Sequence, residues 1–263
     1  MLKTNFLKQK LGSGKAVLGT WCVIPSPGVA DVIAASGVDF LIIDSEHGPI
    51  NFETAQNMVV ACESRGVSPV MRLSGVNEGE ILKALDIGVH CVQIPNVTSR
   101  AEIESVVRMA KYPPSGNRGF SPFTRAGGYS HENARQLTLS GNENTMIAVH
   151  IEGKEAIENI SEFLAIKELD IIFIGLFDIS KSLGIPGQVN DPKVQQILMD
   201  LAGRITKAGK YPGTIATDAA QLVRFTGAGV KYLTYSVDCE MLSRSYKKAV
   251  SEFSTAIGQL GKA

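Results

Sequence analysis

The stretch FLIIDSEHGP, residues 40–49, is an apolar run that ends abruptly in charged groups, namely Asp44, Glu46 and His47. A short, continuous apolar run of this kind is typical of a buried β-strand. Either the chain simply reaches solvent at that point, or the strand carries reactive groups at its tip. The pattern of the remaining sequence decides between these explanations.

The same pattern, a short β-branched run followed by a helical one, occurs eight times along the chain. The predicted strands cover residues 16–24, 39–46, 68–74, 91–97, 145–153, 169–178, 211–217 and 230–238. Nearly continuous apolar strands indicate a parallel sheet that is covered on both faces. Eight such units predict an α/β fold, a (β/α)8 TIM barrel that forms one domain over residues 1–263. An open doubly wound sheet would usually carry a GxGxxG turn after its first strand, and the sequence has none.

Glycines and polar capping residues mark the ends of the predicted helices. The predicted C-terminal glycines are Gly37, Gly66, Gly88, Gly209 and Gly229. The predicted N-terminal caps are Asn51, Ser99, and either Thr217 or Asp218. Two segments rich in Gly and Pro interrupt the alternation, at residues 113–143 and 184–192. A loop as long as 113–143 is usually functional or disordered.

Composition excludes several classes of protein. The formal net charge is zero, which argues against a nucleic-acid partner because such partners usually require a basic face. Apolar runs are too short for a membrane span, and the N-terminal residues contain no apolar signal core. We therefore expect a cytoplasmic protein without a membrane partner. The four cysteines are scattered and form no CxxC pair, so a structural zinc site is not expected.

Polar residues follow most of the predicted strands, where the active site of a barrel lies. They include Trp21, Asp44, Glu46, His47, Arg72, Gln93, Asn96, His150, Glu152, Asp178, Thr214, Thr217, Ser236 and Asp238. One guanidinium, an imidazole and several carboxylates on one rim predict a metal-assisted site for an anionic substrate.

Glu152 and Asp178 follow consecutive predicted strands, so their side chains are expected to approach each other across the barrel mouth. Two carboxylates with waters form the oxygen-rich site that Mg²⁺ or Mn²⁺ prefers. Alternatively, each carboxylate caps the helix that follows it.

Arg72, His47 and Asp86 each have a structural explanation beside the functional one. Arg72 either forms a surface ion pair or binds a carboxylate or an enolate oxygen with its planar guanidinium. His47 is either a solvated loop residue or a general base. Asp86, late in the third predicted helix, is by itself most simply a solvated charge.

Taken together, eight stretches resemble the HpcH/HpaI aldolase/citrate lyase family, and most closely its class II pyruvate aldolases. The stretches are GTWCVIPSP, FLIIDSEHGP, PVMRLS, ILKALDIG, VQIPNV, KYPPSGNRGF, VHIEGKEAIENI and IFIGLFDISKSLGIPGQ, in family order. The resemblance implies a (β/α)8 barrel in a homo-oligomer, a hexamer or trimer of dimers, with swapped C-terminal helices. It also implies a divalent metal (Mg²⁺, Mn²⁺ or Co²⁺) that binds pyruvate.

The resemblance assigns roles to individual residues. It implies that Glu152 and Asp178 are the metal ligands and that Arg72 stabilises the pyruvate enolate. His47 becomes the base, or the residue that positions a catalytic water, and Asp86 becomes its partner.

The resemblance also implies where substrate binds. Phe177 and Asp178 match the stretch that cradles the pyruvate carboxylate, and Trp21 is expected to contact substrate. The tract from Arg118 to Arg125 is expected to line the aldehyde side, within the chain or from a neighbouring subunit. Asp44 and Glu46 are expected to support the site rather than react in it.

The sequence departs from the family pattern at two positions. His150 stands where the family usually has Gln, two residues before Glu152, and Phe177 belongs to GLFD in place of the commoner GPAD. His150 is expected to act as a supporting residue, although a ligand or a proton-transfer group is also compatible with this position. Phe177 either narrows the pocket or packs outside it.

Three functions are compatible with the sequence. The first is metal-dependent retro-aldol cleavage of a 4-hydroxy-2-oxo acid to pyruvate and an aldehyde, through a pyruvate enolate. The second is a Claisen-type, citrate synthase-like or citrate lyase-like reaction, for which the sequence contains no recognisable coenzyme A site. The third is a catalytically silent, metabolite-binding barrel.

Overall fold

Eight parallel strands close into a barrel in the computed structural model, which describes residues 4–260. The strands are β1 (Val17–Cys22), β2 (Phe40–Asp44), β3 (Ser68–Arg72), β4 (Cys91–Ile94), β5 (Met146–Ile151), β6 (Ile171–Ile174), β7 (Tyr211–Ala216) and β8 (Tyr232–Val237). Each strand pairs with the next, and β8 closes on β1. All eight lie within the predicted ranges, so the prediction of the TIM barrel is confirmed. Residues 1–3 and 261–263 of the predicted domain lie outside the described residues.

Helices surround this barrel. Their bounds are α1 (Phe6–Gly12), α2 (Pro27–Ala35), α3 (Phe52–Ser64), α4 (Glu78–Asp86), α5 (Arg100–Ala110), α6 (Ala134–Asn144), α7 (Lys154–Glu158), α8 (Ile160–Leu164), α9 (Leu176–Ser182), α10 (Pro192–Lys207), α11 (Ala219–Gly227) and α12 (Asp238–Leu260). Among residues 4–260, none of these helices is long and apolar enough to cross a membrane.

Alternate residues of each strand face two separate apolar layers. In β2, Phe40 and Ile42 pack inside the barrel, whereas Leu41 and Ile43 pack outward against the helices. All four side chains are fully buried. Burial on both sides explains why the strands read as nearly continuous apolar runs.

The predicted helix boundaries agree with the structure. The five predicted C-terminal glycines all have a left-handed backbone, with φ between 72° and 94°. Asn51 caps α3, Ser99 caps α5, and Asp218 rather than Thr217 caps α11.

Two helices were not predicted. Helix α1 precedes β1 and places Leu7 and Leu11 against the interior of the barrel. The backbone N–H of Leu7 donates to Ser68 Oγ at the start of β3, so α1 covers the N-terminal end of the strands. Helix α6 occupies the end of segment 113–143, whose earlier part forms turns without a regular helix or strand.

Candidate active site

A cavity of about 290 Å³ lies at the C-terminal ends of the strands. It is lined by predicted site residues from several strand ends, namely Trp21, Asp44, His47, Arg72, His150, Glu152, Phe177 and Asp178. The structure thus brings together eight of the twelve residues predicted for the site, and a ninth, Glu46, contacts Arg72.

Arg72 is held by two carboxylates at the mouth of the barrel. Because Asp44 and Arg72 are register partners in β2 and β3, their side chains leave the sheet at the same level. Arg72 Nε and Nη2 donate to the two oxygens of Asp44 at 2.9 and 2.5 Å. Its Nη1 lies 2.9 Å from Glu46 Oε2. The two hydrogen bonds to Asp44 use two of the five guanidinium N–H groups, whereas the contact with Glu46 is an ion pair without hydrogen-bond geometry. N–H groups on Nη1 and Nη2 therefore remain for a substrate oxygen.

Trp21 supports Arg72 from one face. The guanidinium carbon lies 4.3 Å from the centroid of the indole, which is a cation–π contact. The indole N–H donates to Thr234 Oγ1 at 3.0 Å, so the ring is fixed as well. Arg72 is only 8% exposed, and its position is therefore set before substrate arrives.

Asp44 also organises the turn that carries His47. Its Oδ1 accepts the backbone N–H groups of Glu46 and His47 at 3.1 and 3.3 Å. Gly48 completes this turn, and a Cβ there would lie 2.4 Å from the carbonyl oxygen of Asp44. Burial raises the pKa of the Glu46 carboxyl group, against the opposing effect of the Arg72 charge.

His47 is exposed at the mouth of the cavity. Among residues 4–260, no side chain forms a hydrogen bond with its ring nitrogens. The imidazole can therefore reach a substrate or a water.

Glu152 is fixed through both of its carboxylate oxygens. His150 Nδ1 lies 2.6 Å from Oε1, and the backbone N–H of Asn96 donates to Oε2 at 3.1 Å. Burial alone would raise the pKa of Glu152, but His150, the Asn96 N–H and Arg72 together lower it below the usual value. The other ring nitrogen of His150, Nε2, lies 2.6 Å from Gln93 Nε2. Both ring nitrogens of His150 thus have partners. This arrangement fits the expectation that His150 orients Glu152 rather than binding a metal or transferring a proton.

Asp178 lies in the first turn of α9 and is exposed. The N-caps of α7 and α9 are Gly153 and Gly175, with no side-chain cap, so neither carboxylate caps the following helix. Within the described part of the chain, no residue pairs with the Asp178 carboxylate. Gly175 lies against Glu152, because a Cβ there would come within 2.9 Å of Glu152 Cγ.

The chemistry of these donors fits a hard divalent cation. Among the described residues, no cluster of three or more His, Cys, Asp or Glu side chains is arranged to hold a metal ion. The protein therefore offers two carboxylates, Glu152 and Asp178, at one cavity. Mg²⁺ and similar ions often bind through one or two carboxylates and complete their coordination with waters and substrate oxygens.

Three predicted site residues, Asp86, Arg118 and Arg125, lie outside this cavity within the single chain. Asp86 ends α4 and pairs with Arg118, whose Nη2 donates to Asp86 Oδ1 at 2.7 Å. Arg125 pairs with Glu63 and donates to the carbonyl oxygen of Ile87 at 3.1 Å. The physical reason is that barrel helices run opposite to the strands, so the end of α4 points away from the barrel mouth.

The strand-tip residues Ser236 and Asp238 have structural contacts. Asp238 accepts the backbone N–H groups of Val23 and Ile24 at 3.1 and 3.0 Å and so fixes the loop after β1. Ser236 donates to Glu240. Tyr232 was not predicted to contribute, but its hydroxyl donates to Gln93 Oε1 at 3.0 Å. Its signal in the sequence is a polar group at an inward-facing position of a strand.

A carboxylate-rich cavity at the C-terminal ends of the strands of a (β/α)8 barrel is typical of an enzyme active site. Comparison with known proteins identifies the family. The pattern of the HpcH/HpaI aldolase/citrate lyase family matches residues 18–244. A pyruvate aldolase of Rhizobium etli is 30% identical over 97% of this chain and 99% of its own length. The chain therefore belongs to the HpcH/HpaI aldolase/citrate lyase family, and it is a carbon–carbon lyase of the aldolase type.

Solved structures agree with this membership. An HpcH/HpaI aldolase from Desulfitobacterium hafniense superposes with a TM-score of 0.90 and 30% identity, over 95% of this chain and 97% of its own. A citrate synthase, SbnG, superposes with a TM-score of 0.88 and 28% identity, over 96% and 99% of the two chains. These relatives argue against a catalytically silent barrel.

Proposed function

We propose that the protein is a metal-dependent aldolase that reversibly cleaves a 4-hydroxy-2-oxo acid into pyruvate and an aldehyde. The observation that carries this proposal is the single cavity that Arg72 shares with Glu152 and Asp178. It joins a rigid cation, suited to a developing oxyanion, with two carboxylates suited to a divalent metal.

Glu152 and Asp178 would hold Mg²⁺, Mn²⁺ or Co²⁺ as the cofactor. When bound, such a cation polarises a carbonyl oxygen as a Lewis acid. The lowered pKa of Glu152 keeps that carboxylate ionised, as a cation ligand must be.

Arg72 acts on the enolate. In the cleavage direction, the C4 hydroxyl loses its proton, the C3–C4 bond breaks, and the electron pair passes into the enolate while the aldehyde leaves. The N–H groups of Arg72 that do not bond Asp44 donate to the enolate oxygen as its charge develops. Protonation at C3 then gives pyruvate.

His47 is proposed to take the proton of the C4 hydroxyl, directly or through a water that it positions. Its exposed ring at the cavity mouth supports this role. Asp86 is proposed as its partner from a neighbouring subunit, because the two residues do not meet within one chain. The Arg118–Arg125 tract of a neighbouring subunit would line the aldehyde side in the same way.

Substrate binding is proposed to involve Trp21 and the start of α9, where the backbone at Phe177 and Asp178 would receive the pyruvate carboxylate. Phe177 lines the cavity, which favours a narrowing of the pocket over packing outside it. The protein is proposed to act in the cytoplasm.

The C-terminal helix supports the proposal of a swapped homo-oligomer. Helix α12 carries an exposed apolar stripe of Leu242, Tyr246, Val250, Phe253 and Ile257. At the N-terminal end of α12, an apolar groove of about 720 Å³ lies between α2 and α12. An apolar stripe beside an apolar groove suits exchange of α12 between copies, in a hexamer or trimer of dimers.

We expect Phe253→Asp to dissociate this oligomer, because a charge on the apolar stripe cannot be buried against a second copy without a large penalty. Light scattering coupled to size-exclusion chromatography measures the mass. Thr255→Asp adds the same charge to the opposite side of α12 and should leave the mass unchanged. A wild-type protein that is monomeric at all concentrations would contradict the proposal.

Exchange of the pyruvate methyl protons for deuterium tests the proposed function without knowledge of the aldehyde. We expect exchange, followed by NMR with quenching of paramagnetic samples, to require Mn²⁺, Co²⁺ or Mg²⁺ and to stop with chelator. Exchange reports enolisation, the half-reaction that Arg72 and the metal would promote. Folded protein that gives no exchange with any of these metals would contradict the proposal.

A Claisen-type reaction of an oxo acid with a thioester is the second candidate. The structural similarity to the citrate synthase SbnG favours it, and the same enolate-forming groups would serve. In such a reaction the thioester would supply the enolate and the keto carbon of the oxo acid would accept it. Hydrolysis of the thioester by water would then release a free thiol, which a thiol reagent detects. Aldol addition of pyruvate to an aldehyde would release no thiol.

A further inference from the structure

A chain of four polar side chains crosses the interior of the barrel and ends at the candidate metal ligand. The Tyr232 hydroxyl donates to Gln93 Oε1 at 3.0 Å. Gln93 Nε2 lies 2.6 Å from His150 Nε2, and His150 Nδ1 lies 2.6 Å from Glu152 Oε1. The chain links β8, β4 and β5 to the residue just beyond β5.

The placement of the Gln93 amide and the charge of the Glu152 carboxylate set the direction of each hydrogen bond. The Tyr232 hydroxyl donates to the amide oxygen of Gln93, so the amide N–H₂ faces His150. A donor facing His150 Nε2 requires that nitrogen to be an acceptor. The ring proton then lies on Nδ1, which donates it to Glu152. The Glu152 carboxylate, which can only accept, and the Gln93 amide, which Tyr232 orients, therefore both favour the Nδ1–H tautomer of His150.

Packing leaves these groups no other partner. Tyr232 and Gln93 are fully buried, and His150 is 2% exposed. The Tyr232 ring stacks on Phe40 with centroids 4.2 Å apart, and the His150 ring stacks on Phe173 at 4.8 Å. Buried rings between fixed neighbours have few alternative rotamers.

We propose that Tyr232 and Gln93 are positioning residues that fix His150 as an Nδ1–H donor and thereby hold the Glu152 carboxylate in its binding orientation. The Asn96 N–H fixes the opposite oxygen of Glu152, so the carboxylate cannot rotate freely. This inference rests on the proposed function only where it treats Glu152 as a cation ligand. Residues that orient a metal ligand in this way typically increase metal affinity roughly 10- to 100-fold.

The same geometry argues against a proton-transfer or ligand role for His150. Both ring nitrogens are engaged, one by Gln93 and one by Glu152. The neutral amide of Gln93 is not an acid or a base near neutral pH, so the chain orients groups rather than conducting protons.

Nitrogen-15 NMR of histidine-labelled protein tests these four hydrogen-bonded side chains directly, because the chemical shifts of the ring nitrogens distinguish the two neutral tautomers. The sequence has four histidines, and the signals lost in His150→Gln identify those of His150. We expect wild-type His150 to be the Nδ1–H tautomer, which free histidine disfavours. Tyr232→Phe removes one oxygen atom, and we expect it to abolish the single tautomer and to weaken Mn²⁺ binding roughly 10- to 100-fold.

Gln93→Met, which nearly preserves the side-chain volume, is a second test. It should also abolish the single tautomer of His150 and weaken Mn²⁺ binding. Tyr211→Phe is the matched control, since no residue among 4–260 bonds its hydroxyl, and it should change neither readout. An Nε2–H tautomer in the wild type, or an unchanged tautomer in Tyr232→Phe, would overturn the inference. If wild-type protein failed to bind Mn²⁺ in calorimetry, the proposed function would fail, while the tautomer would still decide the positioning role.

Discussion

Arg72→Lys is expected to lower kcat by roughly 100- to 1000-fold, the range typical for loss of one donor to a developing oxyanion. Lysine keeps the charge but not the planar fork. It cannot bond both oxygens of Asp44 side-on and also present further N–H groups to the enolate. We expect pyruvate binding to change much less, because the contact strengthens only as charge develops. Initial rates of methyl exchange and of aldol cleavage measure the effect.

Arg72→Ala should lower turnover at least as much, but it also affects stability. Asp44 is only 1% exposed, so removal of the guanidinium leaves a buried carboxylate without its partner. Breaking a buried ion pair in this way costs about 3–5 kcal/mol of unfolding free energy. Chemical denaturation therefore accompanies the kinetics, and Arg72→Lys is the primary variant.

Arg65 provides a matched control for Arg72. Its Nε and Nη2 donate to the two oxygens of Asp31 at 2.8 and 3.0 Å, the same bidentate geometry on an exposed surface. Exposed pairs contribute little, about 0–1 kcal/mol. Arg65→Lys should leave both kcat and stability nearly unchanged. Equal losses of turnover and pyruvate binding in Arg72→Lys would instead indicate that Arg72 only anchors the substrate.

The barrel was predictable because its strands are buried on both faces. A strand of this kind, such as β2 or β3, is therefore recognisable in the sequence as a short apolar run. A closed parallel sheet also brings all C-terminal strand ends to one rim. Asp44, Arg72 and Glu152 could therefore be assigned to one site before any distance was known.

The long segment after α5 was less predictable. Helix α6 has no side-chain cap and only one buried residue, Ser140, so its pattern resembles that of a polar loop. Asp86 and Arg125 were assigned to the site by resemblance, yet a sequence motif does not state which subunit supplies a residue. The single chain places both residues in ion pairs away from the cavity.

The hydrogen-bonded chain inside the barrel was out of reach for a different reason. Gln93 was recognised as a strand-tip residue, whereas Tyr232 reads as an aromatic residue of a β-strand. The two residues are 139 positions apart in the sequence. Their contact depends on which face of β4 and β8 each side chain occupies, and a shift of one residue would separate them.

Glu152→Gln is expected to weaken Mn²⁺ binding by more than the roughly 10- to 100-fold typical of residues outside the first coordination sphere. The amide keeps an oxygen that can accept the His150 Nδ1–H but loses the negative charge that a divalent cation requires. Metal-dependent exchange of the pyruvate methyl protons should fall to background. Calorimetry of Mn²⁺ binding and the exchange assay measure the two effects separately.

Glu155→Gln is the matched control, because Glu155 is an exposed carboxylate in the first turn of α7, three residues from Glu152. It changes the net charge equally and should leave Mn²⁺ affinity and exchange intact. Asp178→Asn should reproduce the effect of Glu152→Gln, since both carboxylates face the same cavity. Tight Mn²⁺ binding and full activity in Glu152→Gln would show that Glu152 is not a ligand. The cation would then have to bind at Asp178 without it.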